Sequence, residues 1–352
     1  MVDFANTLTQ MMVRISVALL LSPAAVASLP DPAAAAFPGR PGPVAFQSTR
    51  AGGLSIWLAN PQGGGLRQLT PGGGGDRRPR LRQYAPAISP DGGRVAYVAS
   101  QEVRGRTWHN LFVKGIGVRA LNNPGRKVLR SPSPRAIESV AFAPRGRRLV
   151  FSAVPRRGGP DFELFTVRLG GAGLRQLTRN RIQDVEPTVS RRGLIAFAQV
   201  LERDKPGLAV FGRSNIALLR PSWTRPRLLT KVARRRGEDR SPDFAPFGNQ
   251  VAYERRFLNP TTAGRIMEVD LRSNRTRTIF TGVRNNARFD EPHNPAFSPS
   301  GKTIVFDRTF SDEWGQITAA DLYEIGRDGQ GLRYVTGLEE EYETEADWGV
   351  RR

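Results

Sequence analysis

The chain has 352 residues and a hydrophobic share of 39%, enough for a sizeable core, while 37 Gly and 27 Pro punctuate it too often for long helices. It has no cysteine, which excludes disulfides, thiolate catalysis and Cys-ligated metal; with only His109 and His293, it also excludes a His-rich metal centre or a His-Glu-x-x-His zinc protease. The formal charge of +21 favours polyanions, yet all but five of the 53 basic residues are arginines spread over the whole length, a bias that a GC-rich coding sequence explains at least as well as a selected patch, so nucleic acid is not the expected partner.

Residues 1–36 read as a signal peptide and linker. Arg14 precedes the apolar stretch Ile15 to Leu21, and Ala25-Val26-Ala27 offers an A-x-A cleavage site, with Ala34-Ala35-Ala36 as a second. The apolar run is too short to span a bilayer comfortably, and Pro23, Pro30 and Pro32 would break a buried helix. The expected mature chain is exported, periplasmic or extracellular, monomeric, and free of a transmembrane segment after cleavage.

Residues 37–352 are organised by a repeat. Its marker is a short apolar segment ending in Ser/Ala-Pro-x-Gly or a close variant: Pro86 to Gly92, Val140 to Gly146, Pro187 to Gly193, Pro242 to Gly248 and Pro295 to Gly301, spaced by 54, 47, 55 and 53 residues. Pro presets φ for a tight turn and Gly supplies the position that a side chain would obstruct. Each turn is followed by a β-branched or aromatic run, such as Val95-Ala-Tyr-Val and Ile304-Val-Phe-Asp, and then by a third and a fourth run, such as Glu163-Leu-Phe-Thr-Val and Leu174-Arg-Gln-Leu-Thr. Four strands per period of about 50 residues predict a propeller blade. The first repeat, with Val44-Ala-Phe-Gln, Ser55-Ile-Trp-Leu and Leu66-Arg-Gln-Leu-Thr, lacks its innermost strand, while Glu345-Ala-Asp-Trp-Gly349 supplies one strand too many at the other end. The expected fold is all-β: a six-bladed β-propeller of four-stranded blades, its ring closed by a composite blade from both termini.

Pro86-Ala-Ile-Ser-Pro-Asp-Gly-Gly-Arg-Val-Ala-Tyr97, taken with Gly65-Leu-Arg-Gln-Leu-Thr70 and Gly173-Leu-Arg-Gln-Leu-Thr178, resembles the repeat of the TolB-type propellers. The resemblance covers roughly Phe37 to the C-terminus. It leaves no room for the α/β domain that precedes the propeller in that family, and the fourth repeat has Arg191-Arg192-Gly193 in place of Pro-Asp-Gly. It implies an interaction module of the cell envelope.

Catalytic motifs do not appear. There is no Gly-x-Ser-x-Gly elbow; Gly301-Lys302-Thr303 has Ala296 where a phosphate-binding loop needs Gly; and Gly115-Ile-Gly117 follows a strand and opens no helix. No cofactor and no metal is expected. What stands out is acidic residues entering the innermost strands of a basic protein: Glu138, Asp184, Glu186, Glu238, Asp239, Asp290, Glu291, Glu343 and Glu345, with His293 beside them. Propeller geometry puts these on one face with the loops between second and third strands, which carry Arg104, Arg106, Trp108 and His109 in one blade and Arg308, Asp312, Glu313 and Trp314 in another.

Such a mouth suits a binding surface for a protein or a cell-wall polymer. Two other readings stay open for the same residues: hydrogen bonding between neighbouring blades, and paired carboxylates of a carbohydrate-active or hydrolytic enzyme. The expected function is a non-catalytic, exported binding or scaffold propeller. A third possibility is polyanion binding around Lys231 to Arg240, with Arg234, Arg235 and Arg236.

Overall fold

The structure, a computed structural model, describes residues 37–72, 81–129, 134–157, 159–180, 182–201, 213–232, 237–257, 261–285, 288–312, 317–336 and 342–351. The signal and linker expected over residues 1–36 lie outside the described residues, as do Arg234, Arg235 and Arg236.

All regular structure among the described residues is β-strand. The first set is β1 (Pro41–Ser48), β2 (Ser55–Ala59) and β3 (Arg67–Gln68). The second is β4 (Leu81–Ile88), β5 (Arg94–Val103), β6 (Arg106–Gly115) and β7 (Arg126–Lys127). The third comprises β8 (Ala136–Phe142), β9 (Arg148–Val154), β10 (Glu163–Arg168) and β11 (Arg175–Gln176). The fourth has β12 (Gln183–Val189), β13 (Ile195–Val200), β14 (Ser214–Leu219) and β15 (Arg227–Leu228). In the fifth are β16 (Gly237–Phe244), β17 (Gln250–Phe257), β18 (Arg265–Asp270) and β19 (Thr276–Thr281). The sixth contains β20 (Val283–Asn285), β21 (Arg288–Phe297), β22 (Thr303–Ser311), β23 (Ile317–Gly326) and β24 (Arg333–Thr336). The last strand, β25 (Glu343–Val350), pairs antiparallel with β1 through Val44↔Trp348 and Ala45↔Asp347, so the first set takes its inner strand from the other end of the chain.

Within each set the neighbours are antiparallel, and the fourth and fifth sets touch through a single parallel bridge, Ser214↔Glu238. The turn after each inner strand is the one the repeat predicts. Gly92, Gly146, Gly193, Gly248 and Gly301 all have positive φ and donate N–H to the carbonyl three residues earlier, Arg191-Arg192-Gly193 included. The short β20, which pairs with β21, is an addition that the repeat did not announce.

The strands read as nearly continuous apolar runs because both faces of each set are buried. Tyr97, Phe151, Phe197, Tyr253 and Phe306 are fully buried in the second strands of their sets. Burial of a large side chain of this kind stabilises by about 1.5–3 kcal/mol. The core is a series of clusters between sets. Leu58 and Leu69 pack with Ile88 and Tyr97, Leu111 with Phe151, and Val150 and Leu164 with Ile195 and Phe197. Ile216 packs with Phe244 and Tyr253, Ile266 with Phe297 and Phe306, and Val305 and Leu322 with Phe46 and Trp348.

One expectation is corrected. Arg106, Trp108 and His109 are not loop residues: β5 and β6 are ten residues each and the hairpin turns on Arg104 and Gly105 alone, with φ of 51° and 72°. Two successive left-handed residues give the tight turn whose twist matches the flanking strands, so pairing runs to Val103↔Arg106. Arg308 likewise lies inside β22.

Candidate functional site

The inner strands β25, β4, β8, β12, β16 and β21 enclose a cavity of about 300 Å³, with lining residues from all six. Five of them share a local irregularity. Ala85, Glu186, Ser241, Asn294 and Glu345 have φ between 48° and 54°, each where the register with the second strand slips. A left-handed conformation costs a residue with a side chain roughly 1–2 kcal/mol. The bulge turns a backbone N–H toward the neighbouring set, and an acceptor there holds it.

The acceptors are mostly carboxylates. Glu345 Oε2 accepts the Ala85 N–H at 3.0 Å, Glu186 Oε2 that of Ser241 at 2.7 Å, Glu254 Oε2 that of Asn294 at 2.9 Å, and Asp307 Oδ1 that of Glu345 at 3.1 Å. The Glu186 N–H itself donates to Ser139 Oγ at 3.1 Å. Deeper in, Asp243 accepts the Phe297 N–H at 2.8 Å, and Asp347 accepts that of Ile88 at 2.5 Å. Arg240 donates to Glu186 Oε1 at 2.5 Å and lies 3.9 Å from Glu138 Oε1.

Burial raises the pKa of these acids. Glu345 is pushed up to about 8 by burial, then by the nearby charges of Glu138 and Asp307. Asp243 rises to about 7 through burial and the proximity of Asp347, and Asp347 to about 6 through burial. Glu138 is raised by burial and by Glu186. Glu254 goes the other way: burial opposes its charge, but Arg256 and His293 outweigh it and hold the carboxyl well below the usual range.

The acids at the strand entrances are already engaged. Asp239 is bound by Arg255 at 2.6 and 2.8 Å, directly opposite it in register. Asp184 accepts from Gln199 at 3.0 Å and Asn180 at 2.8 Å, and burial lifts its pKa to about 6. Asp290 is clamped by Arg308 and Glu343 by Arg50. The guanidinium of Arg308 also lies over Tyr323, 4.4 Å from the ring centroid.

No protein-family model matches the sequence, and no curated protein matches it. Solved structures do. TolB from Acinetobacter baumannii is 16% identical, covering 88% of this chain and 67% of that one, with a TM-score of 0.59. A putative TolB from Agrobacterium tumefaciens is 16% identical over 87% of this chain and 98% of that one, with a TM-score of 0.54. This is the TolB-type propeller fold. The same propeller likeness extends to Kuenenia stuttgartiensis hydrazine synthase, 12% identical over 89% of this chain and 47% of that one, with a TM-score of 0.61, so this chain spans about half of it. Identities this low carry the fold alone.

On this propeller the expected site residues separate into two groups. Glu138, Glu186 and Glu345 line the central cavity. Asp184, Asp239 and Asp290 are buried and tie the inner strands of their sets to the strand that follows, and buried Glu343 pairs with Arg50 just past β1. Glu291 pairs with Arg284 at 2.9 Å and accepts the Gly264 N–H, and His293 Nδ1 lies 3.4 Å from Glu254 Oε2. Asp312 sits half-buried just past β22, and Trp314 and Glu313 lie outside the described residues.

Trp108 is 59% exposed near the tip of the β5–β6 hairpin. The pairing Leu81↔Gln101 puts that tip on the side where β4 enters, as expected. His109 is half-buried with Nδ1 3.2 Å from the Tyr84 hydroxyl, which donates to the Ile137 carbonyl at 2.8 Å; burial lowers its pKa. With Glu345 and Arg82 these two residues line a second cavity of about 430 Å³.

Asp243, Asp347, Glu254 and Asp307 escaped the sequence reading. Asp243 and Asp347 had a signal: they occupy the repeat position held by Ala87 and Ala296, where an acid interrupts a small, apolar pattern.

Among the described residues, no helix is long and apolar enough to cross a membrane.

Proposed function

We propose that the six sets are the blades of a closed six-bladed propeller, joined by the composite blade of β25 with β1 to β3, and that the exported chain acts as a non-catalytic binding module. Closure is supported by the sequence of apolar clusters, which runs from the first set through the sixth and back to the first. Export is supported by Arg14, the Ile15 to Leu21 stretch and Ala25-Val26-Ala27.

The observation that carries the binding reading is the central cavity: about 300 Å³, walled by six inner strands and lined by Glu138, Glu186, Asp243, Glu345 and Asp347, in a chain of formal charge +21. A concave acidic mouth beside an exposed Trp108 suits a cationic segment of a protein or another envelope component. The carboxyls favour binding over catalysis because Glu186, Glu345, Asp243 and Asp347 each already hold a neighbouring N–H.

A photo-crosslinking residue in place of Trp108 tests this in the mature protein. The expected result is a discrete adduct from envelope extract that disappears in the E186Q/E345Q variant. An adduct unchanged by that variant, or none at all, would contradict the reading.

One observation favours an enzymatic alternative. Glu345, its pKa pushed up to about 8 by burial, lies within electrostatic reach of Glu186, which is ion-paired with Arg240; glycoside hydrolysis needs a carboxyl of raised pKa near a second carboxyl. Turnover on a polysaccharide panel, abolished by E345Q, would decide for it.

A further inference from the structure

The second set carries a polar face that the central cavity does not use. Pairing of Arg82 with Ser100, Ser100 with His109 and Glu102 with Thr107 puts these five side chains on one side of the sheet. In the next row on that side, Val98 and Leu111 pack with Phe151, so the face looks toward the third set. Counted from the shared turn, β5 and β6 have ten residues where β9 and β10 have seven and six, and the row of Glu102 and Thr107 rises past the third set's paired strands. Trp108, between Thr107 and His109, points to the opposite side and takes no part. The polar face lines the cavity of about 430 Å³, and Tyr84 and Glu345 line both this cavity and the central one.

The hydrogen bonds around Tyr84 fix the chemistry of His109. A phenol has one proton, and Tyr84 donates it to the Ile137 carbonyl at 2.8 Å. Toward His109 Nδ1, 3.2 Å away, the same hydroxyl can only accept, so the ring carries its proton on Nδ1. Burial lowers the pKa of His109 and raises that of Tyr84, which keeps imidazole and phenol in these uncharged forms. A neutral imidazole protonated on Nδ1 has a bare acceptor at Nε2, and among the described residues no group donates to it.

The cavity offers hydrogen-bonding groups with little net charge. Arg82 and Glu102, both exposed, have opposite signs on the same face, and burial pushes the Glu345 carboxyl up to about 8, toward its neutral form. An ion would lose to one member of the Arg82 and Glu102 pair what it gained from the other. A hydroxyl both donates and accepts, so neighbouring hydroxyls on one ring satisfy a guanidinium, a carboxylate and a bare imidazole nitrogen together.

We propose that this second cavity binds an uncharged saccharide ring, with His109 Nε2 accepting from one hydroxyl and Arg82 and Glu102 holding others at the rim. Its volume is that of a small-ligand site. Glu138, Glu186, Asp243 and Asp347 do not line it, so this site stands or falls apart from binding in the central cavity.

The test is a titration of the mature protein with glucose, galactose, mannose and N-acetylglucosamine, read by calorimetry and by the nitrogen NMR signals of the His109 imidazole. At least one sugar binds at millimolar concentration and moves the Nε2 signal while Nδ1 stays protonated. His109→Phe keeps a ring in place but removes the acceptor, and weakens binding about tenfold; Glu102→Gln, at an exposed position, weakens it about threefold. The proposal is overturned if none of the sugars binds, if saturating sugar leaves the Nε2 signal unmoved, or if the zwitterion glycine displaces the sugar. Should His109→Phe fail to fold, the wild-type nitrogen signal and Glu102→Gln decide the outcome.

Discussion

The acids around the central cavity and those at the strand entrances are satisfied in different ways. Around the inner strands Glu186, Glu254, Asp307, Glu345, Asp243 and Asp347 each accept a backbone N–H of a neighbouring set, so these carboxyls join one set to the next. At the strand entrances Asp239, Asp290 and Glu343 are instead each paired with an arginine: Arg255, Arg308 and Arg50. A formal charge of +21 describes neither region; position in the propeller decides which partner a carboxyl finds.

The largest effect should come from breaking an engaged charge. Asp239 is buried against Arg255, and removing one partner of such a pair leaves the other uncompensated. Asp239→Ala should cost about 3 kcal/mol, read from the urea midpoint. If the entrance acids were free binding groups instead, the midpoint would barely move.

Gly92→Ala comes next. Gly92 has φ of 66°, and a Cβ there would meet the Val350 carbonyl oxygen of β25 at 2.1 Å. The left-handed conformation alone costs roughly 1–2 kcal/mol, and the collision would also push β25 away from the second set. A thermal melt matching wild type would show that this contact is not made.

A third effect depends on pH. A carboxyl whose folded pKa is raised holds its proton longer when folded than when unfolded. The stability it lends is complete below the unfolded value of about 4 and is lost as pH rises through the folded value. With Asp347 at about 6, Asp243 at about 7 and Glu345 at about 8, stability should decline steadily from pH 4 to pH 8. Glu345→Gln keeps an acceptor for the Ala85 N–H without the charge, so it should flatten that decline and exceed wild-type stability at pH 8. Identical profiles for the two proteins would show that Glu345 is not buried among like charges.

The smallest effect is predicted at the exposed tip. Trp108→Ala should alter stability by no more than about 0.5 kcal/mol while abolishing partner capture, since the side chain is mostly in solvent.

How much of this the sequence disclosed follows from the range of each interaction. The turns were legible because Ser-Pro-x-Gly chemistry is local, and even Arg191-Arg192-Gly193 retains the glycine that matters. The pairing of Val44 with Trp348 was legible because the first repeat lacks a strand and the last has one to spare. The acidic entrances were visible as residues but not as roles. Whether an acid finds a cation across the register, as Asp239 finds Arg255, or an amide, as Asp184 finds Gln199, depends on a partner many residues away. The left-handed bulges at Ala85, Ser241 and Asn294 precede prolines, and only the slipped pairing of the folded sheets exposes them.

The proposed closure of the ring by β1 and β25 can be tested directly, because the chain has no cysteine. Gln47 and Thr344 are cross-strand partners separated by 297 residues, with their side chains hydrogen-bonded at 2.7 Å. In Q47C/T344C the two thiols should oxidise to a disulfide, visible as a mass loss of about two hydrogens and as faster migration on a non-reducing gel. Closing so long a loop should raise stability by on the order of 5 kcal/mol in the chain-entropy model. Two thiols that stay reduced and freely alkylated in the folded protein would contradict the composite blade.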